Sequence, residues 1–273
     1  MPRVFILIFV ILPFIGVAQN QKTKELEVQA DTLMRRENFK EAIKLYTKVI
    51  ESSGLKELSD FNALYKRAVS YYRLQEFKNS LQDIDLLISK NPQIPQGHVL
   101  KALVYRDMQD NDKQLESVER AVELTQDPGL IKWRASLLLE KGSIPEAKRD
   151  LLFVRQIQTD PEIETQLGFA YHSLEDIDSA MYCINKAIEL EPTYLPAYYY
   201  AGSFCLQEEL YELGLKYLNL GLSLEPSNLS LILYKGIALI ELKKTDEGCR
   251  FLRKAFEGGE DNAKDYLVEY CYK

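Results

Sequence analysis

The residues best suited to chemistry are few and far apart. The 273-residue chain has two histidines, His98 and His172, and four cysteines, Cys183, Cys205, Cys249 and Cys271, all in its last third. Paired imidazoles for a metal or a nucleophile need close spacing in the fold, and two lone histidines 74 residues apart offer none. The acidic turn Asp107, Asp110, Asp112 has the carboxylate spacing of part of a calcium loop. Neither register supplies the mid-loop glycine or the closing glutamate, so it reads as a solvated interhelical turn. Phosphate-cradling glycine loops, GxSxG and HExxH are absent. Gly258-Gly259 is a helix stop, and Asn228-Leu229-Ser230 is a formal glycosylation sequon. No enzyme, cofactor or metal centre is expected from these residues.

What positions these side chains is a repeat. Small residues recur at Ala30, Ala68, Ala102, Ala135, Gly168, Gly202 and Gly236, separated by 38, 34, 33, 33, 34 and 34 residues. Twelve residues after each come Ala42, Ser80, Gln114, Ala147, Ala180, Gly214 and Gly248. Four further on lie Tyr46, Ile84, Val118, Leu151, Ile184, Leu218 and Leu252. A small residue on each of two antiparallel helices lets the backbones approach, and apolar residues on the same stripe fill the space around the contact. Pro92, Pro192 and Pro226 close the second helix of their units, since proline cannot continue it.

This pattern resembles the tetratricopeptide repeat family, most specifically in LGFAYHSLEDIDSAMYCINKAIELEP and in the stretch ending YLNLGLSLEP. The resemblance implies an all-α, right-handed superhelical solenoid of antiparallel helix pairs. Seven repeats are expected over residues 23–262, starting near 23, 61, 95, 128, 161, 195 and 229, with a capping helix over 263–273. Gln114 at a small position, and His98 and Glu164 at large apolar ones, depart from the family pattern.

Family members meet ligands mainly through five positions of the first helix in each unit. Carried over, these give Tyr65, Val69, Tyr72, Arg73, Val99, Leu103, Arg106, Lys132, Leu139, Phe169, His172, Tyr199 and Ile237. An aromatic and aliphatic groove with a few cations suits an extended peptide or a partner helix, with Arg73, Arg106 and Lys132 meeting acidic groups. Glu27 and Asp31 stand where the carboxylate clamp of chaperone-binding members needs Lys and Asn, which disfavours that ligand. His98 falls on a packing stripe as a partly buried histidine. Of Tyr198, Tyr199 and Tyr200, the 100° step of a helix points Tyr199 into the groove, packs Tyr198 and leaves Tyr200 between the groove and the neighbouring helix, so that Tyr199 is the candidate for binding.

The cysteines pair by spacing. Cys183 to Cys205 and Cys249 to Cys271 are each 22 residues apart, on consecutive antiparallel helices, which places each pair at similar height. Two disulfides are one reading and four buried thiols the other.

The first residues, MPRVFILIFVILPFIGVAQ, have the layout of a secretory leader cleaved after Ala18, with 19–22 as a short lead-in and an uncleaved anchor as the alternative. An exported protein, periplasmic or secreted, without a permanent span is therefore expected. Without Arg3 the chain has 33 basic and 41 acidic residues. Residues 22–158 carry 23 basic and 21 acidic groups, whereas 159–273 carry 10 and 20. That imbalance argues against nucleic acid and anionic membranes as partners. The expected function is a non-enzymatic interaction module for a protein or peptide. The alternative is a structural part of an envelope assembly, contacting partners through its acidic second half or its convex face.

Overall fold

The computed structural model describes residues 11–53 and 58–272, and among these it is all helix, with no strand. Fourteen helices follow one another: α1 (Ile11–Arg35), α2 (Phe39–Ser53), α3 (Leu58–Arg73), α4 (Phe77–Lys90), α5 (Pro95–Asp107), α6 (Asn111–Thr125), α7 (Pro128–Lys141), α8 (Ile144–Ile157), α9 (Pro161–Ser173), α10 (Ile177–Leu190), α11 (Leu195–Gln207), α12 (Tyr211–Leu224), α13 (Leu229–Glu241) and α14 (Thr245–Glu257). A short α15 (Ala263–Tyr266) runs into a π-helical turn, Leu267–Cys271. The chain divides into two compact units, the first ending at Leu130 and the second beginning at Ile131. The first ten residues of the expected leader lie outside the described residues, and α1 runs unbroken through Ala18. No helix among the described residues is long and apolar enough to cross a membrane.

The helix pairs follow from the small residues. Ser80 on α4 is fully buried and its hydroxyl donates to the Ala68 carbonyl of α3, 2.9 Å away. At the matching position of α14, a Cβ built on Gly248 would lie 2.8 Å from the Gly236 carbonyl oxygen, so the two backbones already touch there. Gln114 is buried to 3% exposure at this position and is accommodated between α5 and α6.

Each pair turns over the same way. Glu37, Gln75, Gln109, Glu175, Glu209 and Lys243 all have φ near +60°, and Gly142 takes the corresponding place with φ +81°. The next residue's N–H then reaches back five residues, as in Glu76 to Tyr71 (2.9 Å) and Asp176 to Tyr171 (3.0 Å). This closes the last carbonyls of the first helix in a Schellman arrangement. Caps set the following helices. Asp110, Asp160, Asp176 and Asn228 each accept a backbone N–H three residues on, which satisfies a donor the helix itself leaves open. The acidic turn is therefore a cap and an ion-pair site, with Asp110 also 2.7 Å from Lys113. Asn228 of the sequon is the cap of α13.

Two buried ion pairs recur at the same place in their repeats. Arg67 reaches Asp83 through two bonds of 2.7 Å, and Arg134 reaches Asp150 at 2.6 and 2.7 Å. At the C-terminus Ala263 and Leu267 fill the apolar face left by Ile232, Leu233, Leu252 and Ala255.

Candidate functional site

In the first unit the expected residues of α3 and α5 pack on a shared apolar cluster, and the two arginines among them lie against carboxylates. Tyr65, Val69 and Tyr72 pack on a cluster of Ala68, Ile84, Leu100 and Val104. Tyr65 and Val99 line a shallow opening of about 440 Å³ that Pro95 and Leu130 also border. Leu103 is half-buried on α5. Arg73 lies 3.4 Å from Glu37 and over the Phe39 ring at 5.1 Å. Arg106 donates to Asp107 (3.0 Å) and to the Tyr72 hydroxyl (3.3 Å), and that hydroxyl donates to Asp107 at 2.7 Å. The Tyr72 bond and the Arg106 guanidinium hold the Asp107 carboxyl below its ordinary range.

The second unit has a more developed face. Lys132 is held by Asp160 (3.1 Å) and Glu162 (2.5 Å). Burial alone would pull its pKa down, but the two carboxylates overcome this and raise it. Each of the three cations expected to meet acidic groups of a partner thus lies against a carboxylate of the chain itself.

Leu139 and Phe169 line a cavity of about 250 Å³ with Ser136, Glu140, Gln166 and Tyr200. Tyr200, expected between the groove and the neighbouring helix, joins this lining. Its ring meets Phe169 edge-on at 5.9 Å and Tyr199 at 5.2 Å, and Tyr199 in turn meets Tyr234 at 5.3 Å. Tyr198 is buried as expected, its hydroxyl donating to the Pro192 carbonyl. His172 stacks flat on Phe204 at 4.0 Å. Its Nε2 is 3.3 Å from Glu208 but not aligned to hydrogen-bond with it. An aromatic row therefore runs from His172 through Phe204, Tyr200 and Tyr199 to Tyr234, across α9, α11 and α13. Ile237 sits apart from it, against the C-terminal core. Burial and the Tyr234 hydroxyl keep the Tyr199 phenol well above its ordinary range.

Residues missed in the sequence had a detectable signal. Ser136 and Glu140 hold the same repeat positions as Val69 and Arg73, while Gln166, Tyr200 and Tyr234 share one position, 34 residues apart. That position lies one step from the family's ligand positions, and long aromatic side chains span the step.

The cysteines divide. Cys249 and Cys271 form a disulfide that ties the π-helical turn to α14. Cys183 and Cys205 are free, buried thiols, so the Cys183 to Cys205 pairing of the two-disulfide reading is not formed. Their side chains face different neighbours. Cys183 lies 3.9 Å from the Arg155 guanidinium, whereas the Cys205 Cβ points at Gly214 on α12, 3.2 Å from where a Cβ there would stand. Burial, and for Cys183 also the Glu164 carboxylate, pushes these thiols up to about 12 and about 11.

Paired helices of fixed period, each pair closed by a left-handed turn and bearing side chains along its first helix, define a helix-pair repeat protein. The tetratricopeptide repeat model matches residues 95–128 and 165–194, and the model of the Fis1 C-terminal tetratricopeptide repeat matches 62–111. The chain is a tetratricopeptide repeat protein. Similar solved structures include the C-terminal part of a TPR repeat-containing protein from Cytophaga hutchinsonii, 19% identical with a TM-score of 0.66, covering 88% of this chain and 99% of that one. A tetratricopeptide repeat protein from Parabacteroides merdae is 12% identical with a TM-score of 0.65, covering 91% and 98%. The APC/C hetero-tetramer Cut9-Hcn1 is 16% identical with a TM-score of 0.60, covering 90% of this chain and 55% of that one. No curated protein matches the sequence significantly.

Proposed function

We propose that the chain is a non-enzymatic interaction module that binds a peptide or partner helix across α7, α9 and α11 of the second unit. The observation that carries this reading is the outer part of the aromatic row, Phe169, Tyr199 and Tyr200, which lies partly exposed beside an open cavity. Tyr199, Tyr200 and Phe169 are only partly buried, and rigid aromatic surface next to a pocket is the usual composition of a binding hot spot. The α3–α5 face extends the surface available in the first unit. The neighbouring Cut9-Hcn1 structure is a hetero-tetramer, which accords with a scaffold built on this fold. No constellation of nucleophile, base and orienting group faces the cavity.

The same proposal places the protein outside the reducing cytoplasm. A leader-like first segment and the Cys249–Cys271 bridge support an exported, periplasmic or secreted protein, because disulfides persist in oxidising compartments.

The test is selection of binders from a random peptide library on the purified chain from residue 19, followed by affinity measurement with Tyr200→Ala and Phe169→Ala. Peptides that lose at least about tenfold in affinity on either change support the face. Selected peptides that bind both variants as well as they bind the parent chain place the site elsewhere.

A further inference from the structure

The second helices of the second unit carry an apolar patch that their own packing does not use. On α8, Ala147, Leu151 and Val154 are buried, while Phe153 and Ile157, four residues apart on one face, are open to solvent. The same stripe on α10 presents Tyr182 and Leu190, and on α12 Leu220 and Leu224. These six side chains are 42% to 65% exposed. The three stripes adjoin. Arg155 of α8 lies 3.9 Å from Cys183 of α10, and the Tyr217 hydroxyl of α12 donates to Asn185 of α10 at 2.8 Å.

The first unit shows that the helix pairs fold without apolar residues there. The stripe positions lie 14, 18 and 22 residues after the first small residue of each repeat, Ala135, Gly168 and Gly202 for α8, α10 and α12. Six of these nine positions are apolar, whereas on α2, α4 and α6 seven of nine are polar, Lys48, Lys90 and Arg120 among them. At α14 the stripe turns polar again, with Arg250 and Lys254.

The patch has the size and charge pattern of a face that meets its own copy. Six large side chains at these exposures present on the order of 500 Å². A standard interface takes about 800 Å² from each partner, about 65% of it apolar in homodimers, or roughly 520 Å². Lys216, in the second turn of α12, makes no hydrogen bond or ion pair among the described residues. Glu225 stands exposed at the other end of that helix, held only by the Asn228 side-chain amide at 3.4 Å. Midway along α10, Lys186 is neutralised by Glu189, 3.2 Å away.

We infer that a second copy of this chain docks on the outer face of α8, α10 and α12, antiparallel, about a two-fold axis that crosses α10 at Lys186. This register sets Tyr182 against the partner's Leu190 and Lys216 against the partner's Glu225. A parallel docking would set Lys216 against the partner's Arg149, like charge on like. An anionic lipid surface would meet Glu189, Glu191 and Glu225 along one edge of the patch. A self-complementary patch closes as a dimer and leaves no copy of itself exposed. The first helices α7, α9 and α11, with the aromatic row, take no part in this contact, so it stands apart from the peptide-binding reading.

The experiment is sedimentation velocity of the chain from residue 19. Interfaces of this size dissociate in the micromolar range or below, so twice the mass of one chain is expected over most of a series from about 1 to about 100 μM. Leu190→Lys with Leu220→Arg gives the patch the residue types that Lys90 and Arg120 hold at the same positions of the first unit. That variant is expected to keep the circular dichroism of the parent and to sediment as a monomer throughout. Lys216→Glu is expected to weaken the dimer at least about tenfold, and adding Glu225→Lys to restore it, because both ion pairs are then reversed. A monomer across the series, a dimer that survives Leu190→Lys with Leu220→Arg, or a loss on Lys216→Glu that Glu225→Lys deepens overturns the inference. A dimer that Tyr200→Ala dissociates puts the contact on the aromatic row and overturns it too. So does a monomer that binds phosphatidylglycerol vesicles and releases them on Leu190→Lys, which gives the face to a lipid surface.

Discussion

Tyr200 of α11 meets Phe169 of α9 edge to face, 5.9 Å between ring centroids, on the wall of the cavity that Gln166 also lines. Their neighbour Phe204, one turn along α11, is 3% exposed and stacked on His172. The row thus has an outer part built for contact and an inner part built into the core. Tyr200→Ala is expected to cost about 1–2 kcal/mol of stability, as befits a half-buried ring, and Phe204→Ala about 3–5 kcal/mol. Urea unfolding of the two variants measures the difference. Equal losses would mean that Tyr200 is a core residue and no binding element.

The repeat, its register and the helix pairs were legible in the sequence because backbone contact demands small side chains at fixed spacing. Gly236 and Gly248 announce their pair by type alone. What a helical wheel could not show was the reach of side chains. It treats Tyr199 and Tyr200 as rays 100° apart, yet phenol rings are long enough to meet at 5.2 Å and share one face. Charge satisfaction was hidden for a similar reason. Arg73 looks free in the sequence, and its partner Glu37 stands 36 residues earlier on the preceding turn. The cysteine spacing of 22 was equally good for both pairs, yet the structure joins Cys249 to Cys271 and leaves Cys183 and Cys205 as buried thiols, the former against Arg155.

The backbone contact at Gly248 gives a second prediction. A methyl group there would stand 2.8 Å from the Gly236 carbonyl and 2.9 Å from Ile240. Side chains can yield, but a backbone oxygen moves only with its helix. Gly248→Ala is therefore expected to destabilise by about 1–3 kcal/mol despite alanine's better helix propensity. A variant as stable as the parent in chemical unfolding would show that α13 and α14 can separate freely.

Arg67 and Asp83 give a third, through a double-mutant cycle. Their side chains are 16% and 8% exposed, and Arg67 also donates to Thr47 at 3.0 Å. Removing Asp83 alone strands a buried guanidinium, so Asp83→Ala is expected to cost about 3–5 kcal/mol. The pair Arg67→Met with Asp83→Leu is expected to recover most of that loss. Additive losses in the cycle would contradict a coupled buried pair.

The cysteines supply a fourth. Two thiols pushed well above neutral pH by burial are poor nucleophiles, because the thiolate is the reactive form. Unreduced native protein is expected to resist alkylation, and denatured unreduced protein to label at Cys183 and Cys205 only. Reducing the Cys249–Cys271 bridge is expected to lower stability by about 3 kcal/mol for a loop of this size and to expose residues 263–271 to protease first. Four labelled thiols in unreduced denatured protein would remove the bridge.

His98 carries the last prediction, a pH dependence confined to the acid side. It is 8% exposed, its Nε2 is buried without a partner, and it holds a position where the family has a large apolar residue. Burial lowers its pKa below the ordinary histidine value; the Pro92 backbone bond opposes the shift, nearby Arg120 and Lys101 deepen it, and Glu123 opposes it. The neutral ring is therefore the folded form. Above the unfolded value of about 6.5 the ring is neutral in both states and no proton is exchanged on unfolding. As pH falls below that value, the unfolded chain takes up a proton before the folded one does, so stability drops until the folded pKa is passed. His98→Leu removes this exchange and the unpartnered nitrogen together. Carboxylates elsewhere titrate alike in both proteins, so the difference between parent and variant isolates the histidine. Urea unfolding at a series of pH values from 8 to 5 is expected to show that difference constant above about pH 7 and moving in favour of the variant below it. Parallel curves across the whole range would mean that His98 is solvated in the folded chain.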